Sequence, residues 1–270
     1  MIIEKNNDIS LLHTFDCGQC FRWNLEDNGS YTGVVGDKVI NLIENDNQII
    51  TSDDNENLIN EYLDLNRDYS KLKNKLNKDI VLKKAIAHGS GIRILKQDPF
   101  ETLVSFIISA NNNIPRIKKI IESLCCNFGD KIEYNGNIYH SFPSAQVISR
   151  LTEIDLAPIK SGYRAGYIID AAHKVATGMV DLNSIFKMSP DEGRYALKQI
   201  KGVGDKVADC VLLFAFQKYG VFPKDVWIKR ILNNLYSVEE KAFDDFVNKK
   251  FGDLGGFAQQ YLFYYGREFL

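Results

Sequence analysis

Near residue 100 the hydrophobic pattern of this 270-residue chain becomes mainly helical, and that change limits the fold more than any other feature. From about 9 to 51, short apolar runs (CFRW, SYTGVVG, KVINLIE, NQIIT) are separated by turn formers such as Glu26-Asp27-Asn28-Gly29 and Asn45-Asp46-Asn47. A period of two turns one face of each run to a core, and the close turns bring the runs side by side, so this part reads as an antiparallel meander. From 53 to 84 the texture becomes helix-like, with Leu63, Leu72, Leu76 and Leu82 among Lys, Asn and Asp. Residues 66–79 within it are a solvated stretch with room for a short helix. From about 100 the period is helical. Residues 100–109 are apolar nearly all round and predict a buried helix, and 117–128 predict an amphipathic one. Asn135-Gly136 between β-prone flanks predicts a small hairpin over 132–142. Pro143, Pro158 and Pro190 mark helix starts.

Charge sets a condition on any acidic partner. The whole chain carries a net −2, which excludes polyanion binding by bulk charge. Residues 1–90 hold 10 Lys/Arg against 15 Asp/Glu, and residues 91–270 hold 23 against 20. An acidic polymer would therefore meet the second part, through local placement of charge. No apolar run approaches bilayer length, and the N-terminus has no positive segment ahead of an apolar stretch, so neither a membrane nor an export signal is expected. Five cysteines, two of them adjacent at 125 and 126, do not make a disulfide framework, which points to a reducing, cytoplasmic compartment.

The unit at 189–219 carries the first functional signal. Ser189-Pro190-Asp191-Glu192 has the pattern of a capping box and opens a helix to about residue 200. Gly202-Val203-Gly204 breaks it, and a second helix runs from Asp205 to about residue 219. Two glycines permit a tight turn with positive φ, and the turn leaves unpaired amides at the next helix N-terminus, where a phosphate binds without side-chain charge. A plain corner between two core helices is the simpler explanation of GVG alone. Lys206 lies in the first turn of the second helix, and Asp225 stands at the N-cap of the next one. A lysine is a useful nucleophile only when part of it is neutral, and a helix N-terminus with partial burial favours that form. A nearby carboxylate steers the proton and stabilises a cationic, sugar-like transition state. An exposed lysine and an ordinary capping aspartate are the simpler explanation of each residue alone. Two more helices are expected at 239–251 and 257–269, with the glycine-rich stretch 252–256 between them.

Gly202-Val203-Gly204-Asp205-Lys206-Val207-Ala208-Asp209-Cys210, followed by Val221-Phe222-Pro223-Lys224-Asp225-Val226, resembles the helix-hairpin-helix/Gly-Pro-Asp superfamily of base-excision DNA glycosylases, and within it the 8-oxoguanine DNA glycosylases. Further stretches carry the resemblance: Gly18-Gln19-Cys20-Phe21-Arg22-Trp23, Gln97-Asp98-Pro99-Phe100-Glu101, the run from Ser109 through Asn111-Asn112-Asn113 to Ile117, Gly162-Tyr163-Arg164-Ala165, and Gly256-Phe257-Ala258-Gln259-Gln260-Tyr261-Leu262-Phe263. They run in order from about residue 10 to the C-terminus.

The resemblance implies an α+β fold. An antiparallel sheet domain (1–90) would precede a helical glycosylase domain (91–270), itself two mainly helical subdomains with the DNA cleft between them. It implies an intracellular monomer acting on double-stranded DNA that contains 8-oxoguanine, with no metal or organic cofactor. Lys206 would attack C1′, displace the base and form a Schiff base, after which β-elimination nicks the strand; Asp225 would stabilise charge at C1′. The Gly18 carbonyl would accept from N7–H of the lesion, Phe263 and Cys210 would cover its faces, and Gln259 would bond its Watson–Crick edge. Asn111 would fill the vacated space, Tyr163 would wedge beside the partner base, and Arg116 and Arg164 would donate to cytosine. Gly202, Gly204 and Val207 would meet the phosphate. Core packing explains Phe263 and Cys210, and salt bridges explain the arginines, if the resemblance is set aside.

Some positions depart from the family. Trp227 stands where a histidine is usual, and Cys20 replaces a commoner serine. No four-cysteine spacing follows the hairpin, so an iron–sulfur cluster is not expected. His13, His88, His140 and His173 show no ligand spacing, so no metal site is expected. The carbonyls of Lys198, Ile200 and Val203 offer a seat for a monovalent cation. A non-catalytic hairpin module and a glycosylase for another oxidised purine are the alternatives.

Overall fold

A computed structural model gives the fold; it describes residues 1–5, 8–51 and 55–270. Five antiparallel strands, β1 (Ile2–Glu4), β2 (Trp23–Leu25), β3 (Tyr31–Val35), β4 (Lys38–Glu44) and β5 (Gln48–Ile50), form one sheet in the order β1-β5-β4-β3-β2. Tyr31 pairs with Leu42 and Gly33 with Ile40, so alternate residues of β3 and β4 face the same core. Gly33 leaves its face open for the indole of Trp23, since a Cβ there would lie 2.4 Å from the ring. Trp23 stacks on Phe15 at 4.0 Å and donates from Nε1 to the Tyr62 hydroxyl at 3.0 Å, so its polar edge is satisfied inside an apolar cluster.

The meander is confirmed from residue 23 on, but its start differs. Leu11–Phe15 is a short helix, α1, and of CFRW only Trp23 belongs to a strand. Leu11, Thr14 and Phe15 are buried at helical spacing, and the Glu44 carboxylate on β4 accepts from Leu11 N at 2.7 Å, capping the turn from a distance. Strand β1 was not foreseen, because its pairing with β5 joins segments almost fifty residues apart.

The short helix expected within 66–79 forms as α3 (Tyr69–Leu76), and the helix-like texture around it forms two more, α2 (Glu56–Tyr62) before it and α4 (Ile80–His88) after it. Residues 53 and 54 lie outside the described residues. Asp68 and Asp79 cap α3 and α4. Then come α5 (Pro99–Ser109) and α6 (Ile114–Phe128), capped by Asp98 and Asn113 with a proline in each first turn. A hairpin follows, β6 (Lys131–Tyr134) and β7 (Asn137–His140), whose turn residues Asn135 and Gly136 both take positive φ.

The remaining helices are α7 (Ala145–Ile148), α8 (Arg164–Ala176), α9 (Leu182–Ile185), α10 (Pro190–Leu197), α11 (Asp205–Phe214), α12 (Val226–Tyr236), α13 (Phe243–Phe251) and α14 (Gly255–Phe269). The capping box at Ser189 and Glu192 is formed. Helices α10 and α11 end earlier than the sequence suggested, and α8 and α9 were not anticipated. Pro158 sits in a 3-10 turn, Ala157–Ile159. Helix α14 begins inside the glycine-rich stretch: a Cβ on Gly255 would meet the Gly220 carbonyl at 2.9 Å, and one on Gly256 would meet Leu213 Cδ1 at 2.3 Å. These glycines serve close packing rather than a loop.

The architecture is α+β, as expected. One apolar cluster lies under the sheet around Phe15, Trp23, Ile40, Leu42 and Tyr62. A larger one fills the helical part around Leu103, Ile107, Leu124, Ile168, Leu212, Ile231 and Leu262. Tyr69, Leu72, Leu76, Leu82 and Ile86, from the segment assigned to the first domain, join the second cluster, so α3 and α4 are built into the helical core. Among the described residues no helix is long and apolar enough to cross a membrane.

Candidate active site

The hairpin between α10 and α11 sets the position of Lys206. Gly202 takes φ +80° with the Tyr167 ring against its open face, where a Cβ would fall 2.3 Å from Cδ2. The positive φ expected at the turn is thus found at Gly202. Gly204 corrects the expectation at the second glycine: it is an extended N-cap at φ −96°, with open space around it. An extended N-cap needs no left-handed backbone, and no side chain among the described residues caps α11. The amides of Asp205, Lys206 and Val207 find no acceptor among the described residues, which leaves a helix end of the kind that binds anions. Asp205 beside it is paired with Lys198 at 2.6 Å. On the outer side of the turn, the Ile200 carbonyl accepts from Val203 N, and the Lys174 ammonium donates to the Gln199 carbonyl at 2.6 Å.

Lys206 and Asp225 line one cavity. Asp225 caps α12, accepting from Ile228 N at 2.8 Å. Burial raises its carboxyl above the usual aspartate value, against the lowering effect of the Ile228 amide and the Lys206 charge. Lys206 has no ion-pair partner among the described residues, and its Nζ stands 5.2 Å from the centre of the Phe106 ring. The amine is therefore not committed to Asp225, although both reach the same space.

That space has a narrow inner slot of about 40 Å³ and a wider mouth of about 380 Å³. Gly18, Phe106, Lys206, Asp225 and Phe263 line both. Cys17, Cys210, Gln259 and Gln260 line the slot. The mouth adds Ser109, Asn113, Trp227 and Arg267. Burial pushes the Cys210 thiol up to about 12, so it offers an uncharged sulfur. Gln259 is 5% exposed, and its Oε1 has no hydrogen-bond partner among the described residues. Gly18 takes φ +79°, and its carbonyl accepts no hydrogen bond among the described residues. A Cβ on it would lie 3.0 Å from Cε1 of Phe263.

The residues assigned to the partner base divide. Asn111 is exposed, in the left-handed region at φ 50°. Tyr163 is 57% exposed. Arg116 is exposed, and no side-chain bond of its guanidinium is formed among the described residues. Arg164 is 4% exposed, and its donors are taken up by the carbonyls of Ala110, Asn111 and Ser161, with the Tyr163 ring 4.5 Å from its Cζ. It braces the Asn111 loop in this state. Phe106, Cys17, Gln260 and Arg267 escaped the sequence reading. Phe106 and Cys17 look like core residues. The adjacent amides Gln259-Gln260 in an apolar helix were the signal that went unused.

Family models match most of the chain. A model described as 8-oxoguanine DNA glycosylase, N-terminal domain, matches residues 1–103, and one described as HhH-GPD superfamily base excision DNA repair protein matches residues 104–255. The N-glycosylase/DNA lyase of Saccharomyces cerevisiae is 37% identical over 268 residues, covering 87% of this chain and 70% of the relative. The solved structure of MBOgg1 in complex with low affinity DNA ligand superposes with TM-score 0.95 at 49% identity, over 99% of this chain and 95% of that one. The Clostridium acetobutylicum 8-oxoguanine glycosylase/lyase in complex with dsDNA containing cytosine opposite to 8-oxoG gives TM-score 0.92 at 43% identity, over 99% and 98%.

Proposed function

The chain belongs to the 8-oxoguanine DNA glycosylase family of the HhH-GPD superfamily of base excision DNA repair proteins, and on that footing, with relatives named N-glycosylase/DNA lyase, we propose that it excises 8-oxoguanine from duplex DNA through a covalent bond to Lys206. One observation carries this reading. Among the described residues, an amine without an ion-pair partner, a half-buried capping carboxylate, and two acceptors that no donor meets share a single cavity.

The lesion nucleotide leaves the stack and enters through the wide mouth. The slot is smaller than a purine, so the Phe263 ring turns aside to admit the base and then covers one face. The neutral Cys210 sulfur covers the other. The Gly18 carbonyl accepts from N7–H, which 8-oxoguanine has and guanine lacks; guanine presents a lone pair there and is repelled. Gln259 Oε1 accepts from the Watson–Crick edge. Residues 1–90 thus supply the selecting wall, and residues 91–270 supply the nucleophile.

The Lys206 amine, giving up a proton, bonds to C1′ as the bond from C1′ to N9 breaks, and the electron pair leaves with the base, which takes up a proton. The Asp225 carboxylate stabilises the positive charge that develops at C1′. Opening of the sugar ring gives a Schiff base between Nζ and C1′. Loss of a C2′ proton then expels the 3′ phosphate, and water releases the lysine. The free amides of α11, with Gly202, Gly204 and Val207, hold a phosphate of the strand. Asn111 and Tyr163 occupy the gap, and Arg116 supplies a free donor fork to the partner base. Arg164 joins it by exchanging a loop carbonyl for cytosine.

A panel of duplexes tests the proposal, with 8-oxoguanine, other oxidised purines and alkylated adenine each set opposite all four bases. Fastest release of 8-oxoguanine opposite cytosine is expected. Release of alkylated adenine, or of no lesion, overturns it. Another oxidised purine bearing N7–H would suit the same two acceptors, and the panel separates that reading.

A further inference from the structure

We propose that Gln260, which has no part in the chemistry above, is a positioning residue for lesion selection: it holds the loop that presents the Gly18 carbonyl. The inference rests on the slot reading just given.

Gln260 lies on α14, one residue from Gln259 and three from Phe263, and is 2% exposed. Its Nε2 donates to the Cys17 carbonyl at 2.7 Å. On the far side of Gly18, the Gln97 amide donates to the Gln19 carbonyl at 2.8 Å. Gln19 is itself fully buried: its Nε2 donates to the carbonyls of Thr14 at 2.9 Å and Arg93 at 2.7 Å, and its Oε1 accepts from Leu95 N at 2.9 Å. The carbonyls on both sides of Gly18 therefore each accept a side-chain amide, whereas no donor among the described residues meets the middle one, which stays open to a ligand.

Glycine makes this hold necessary. At φ +79° Gly18 uses a freedom that lets its peptide planes rotate unless something fixes them. Gln19 and Gln97 fix the C-terminal side from the loop itself and from the segment that leads into α5. Gln260 fixes the N-terminal side from α14, the helix that also carries Gln259 and Phe263. One helix thus sets the spacing between the wall that reads N7–H and the residues that read the opposite edge and cover the face. A purine must satisfy both acceptors at once, so that spacing is a specificity element. Leaving a buried amide unpaired is costly, so the bond to Cys17 holds once formed.

The test compares Gln260→Met, which keeps the shape without a donor, and Gln260→Glu, which replaces the donor by an oxygen facing the Cys17 carbonyl. Single-turnover release of 8-oxoguanine is measured beside release of guanine and beside nicking at a preformed abasic site, which has no base to read. We expect 8-oxoguanine release to fall about 10- to 100-fold, as misplacement by an ångström costs elsewhere. The preference over guanine narrows, and abasic nicking is unchanged. Equal loss of release and nicking, or unaltered release, overturns the proposal. Failure of both variants to fold assigns Gln260 to the structure and also overturns it. Wild-type protein that releases no 8-oxoguanine overturns the slot reading beneath it.

Discussion

Asp225 serves the fold and the proposed chemistry with the same carboxylate. Asn caps a helix as well as Asp does, so Asp225→Asn keeps the bond to Ile228 N and removes the charge. Burial raises the folded-state value of this acid. Its protonated form therefore stabilises the fold, and that contribution is lost as pH rises through the raised value. At neutral pH the Asn variant should hold or raise the thermal midpoint while base release falls about 10²- to 10³-fold. A lowered midpoint with activity intact would place Asp225 in the fold alone. The acid limb of the rate profile should lie above the ordinary aspartate value of 3.8 and vanish in the variant. Gly18→Ala meets two obstacles, a left-handed φ and Phe263 at 3.0 Å. It should cost about 1–2 kcal/mol and block the slot; denaturant unfolding beside base release checks both. Lys206 and Asp225 were legible because a turn and a cap are local signals. The carbonyls that occupy Arg164 were not, since Ala110 lies 54 positions away.

Among the elements, α14 repays the closest look. It carries Gln259, Gln260 and Phe263, and it approaches α11 through Gly256. Gly256→Ala puts a methyl 2.3 Å from Leu213 Cδ1 and 3.1 Å from the Tyr219 carbonyl. Helix propensity favours alanine by about 1 kcal/mol, but overpacking costs about 1–3. Net destabilisation is expected, with a larger loss of base release than of stability, because the shift separates Lys206 from the slot. A raised midpoint would show that the two helices have room to spare. Helices α5 and α6 were readable from their apolar patterns, and α10 from its capping box at Ser189. The start of α14 was not, because two glycines signal a loop until the Gly220 carbonyl is seen against them.

At the scale of the whole molecule, charge and pH behave in ways the net −2 does not suggest. Phosphate contact through helix amides displaces few counterions. The slope of log affinity against log salt should be about −3 or shallower, where six cationic contacts would give about −5. A steeper slope in binding measurements would mean that Lys and Arg carry the DNA. Glu101 is raised to about 7, by burial first and against the lowering effect of Arg22 at 3.6 Å. Its protonated form stabilises the fold, so that contribution is full below the ordinary value of 4.5 and is lost as pH rises to about 7. Thermal midpoints across that window should show this slope, and Glu101→Gln should flatten it whatever it costs at a single pH. The sheet was readable from alternation in β3 and β4. The entry of α3 and α4 into the helical core was not, because a solvated sequence does not reveal which partner covers its few leucines.

Covalent capture decides between a nucleophilic Lys206 and a merely structural one. Borohydride is added to the protein with a duplex carrying 8-oxoguanine, and the DNA-linked species is quantified for wild type and for Lys206→Gln. A trapped adduct with wild type, and none with a variant that still binds the duplex, is the expected result. Equal trapping by both proteins, or none by wild type while the base is released, would contradict it.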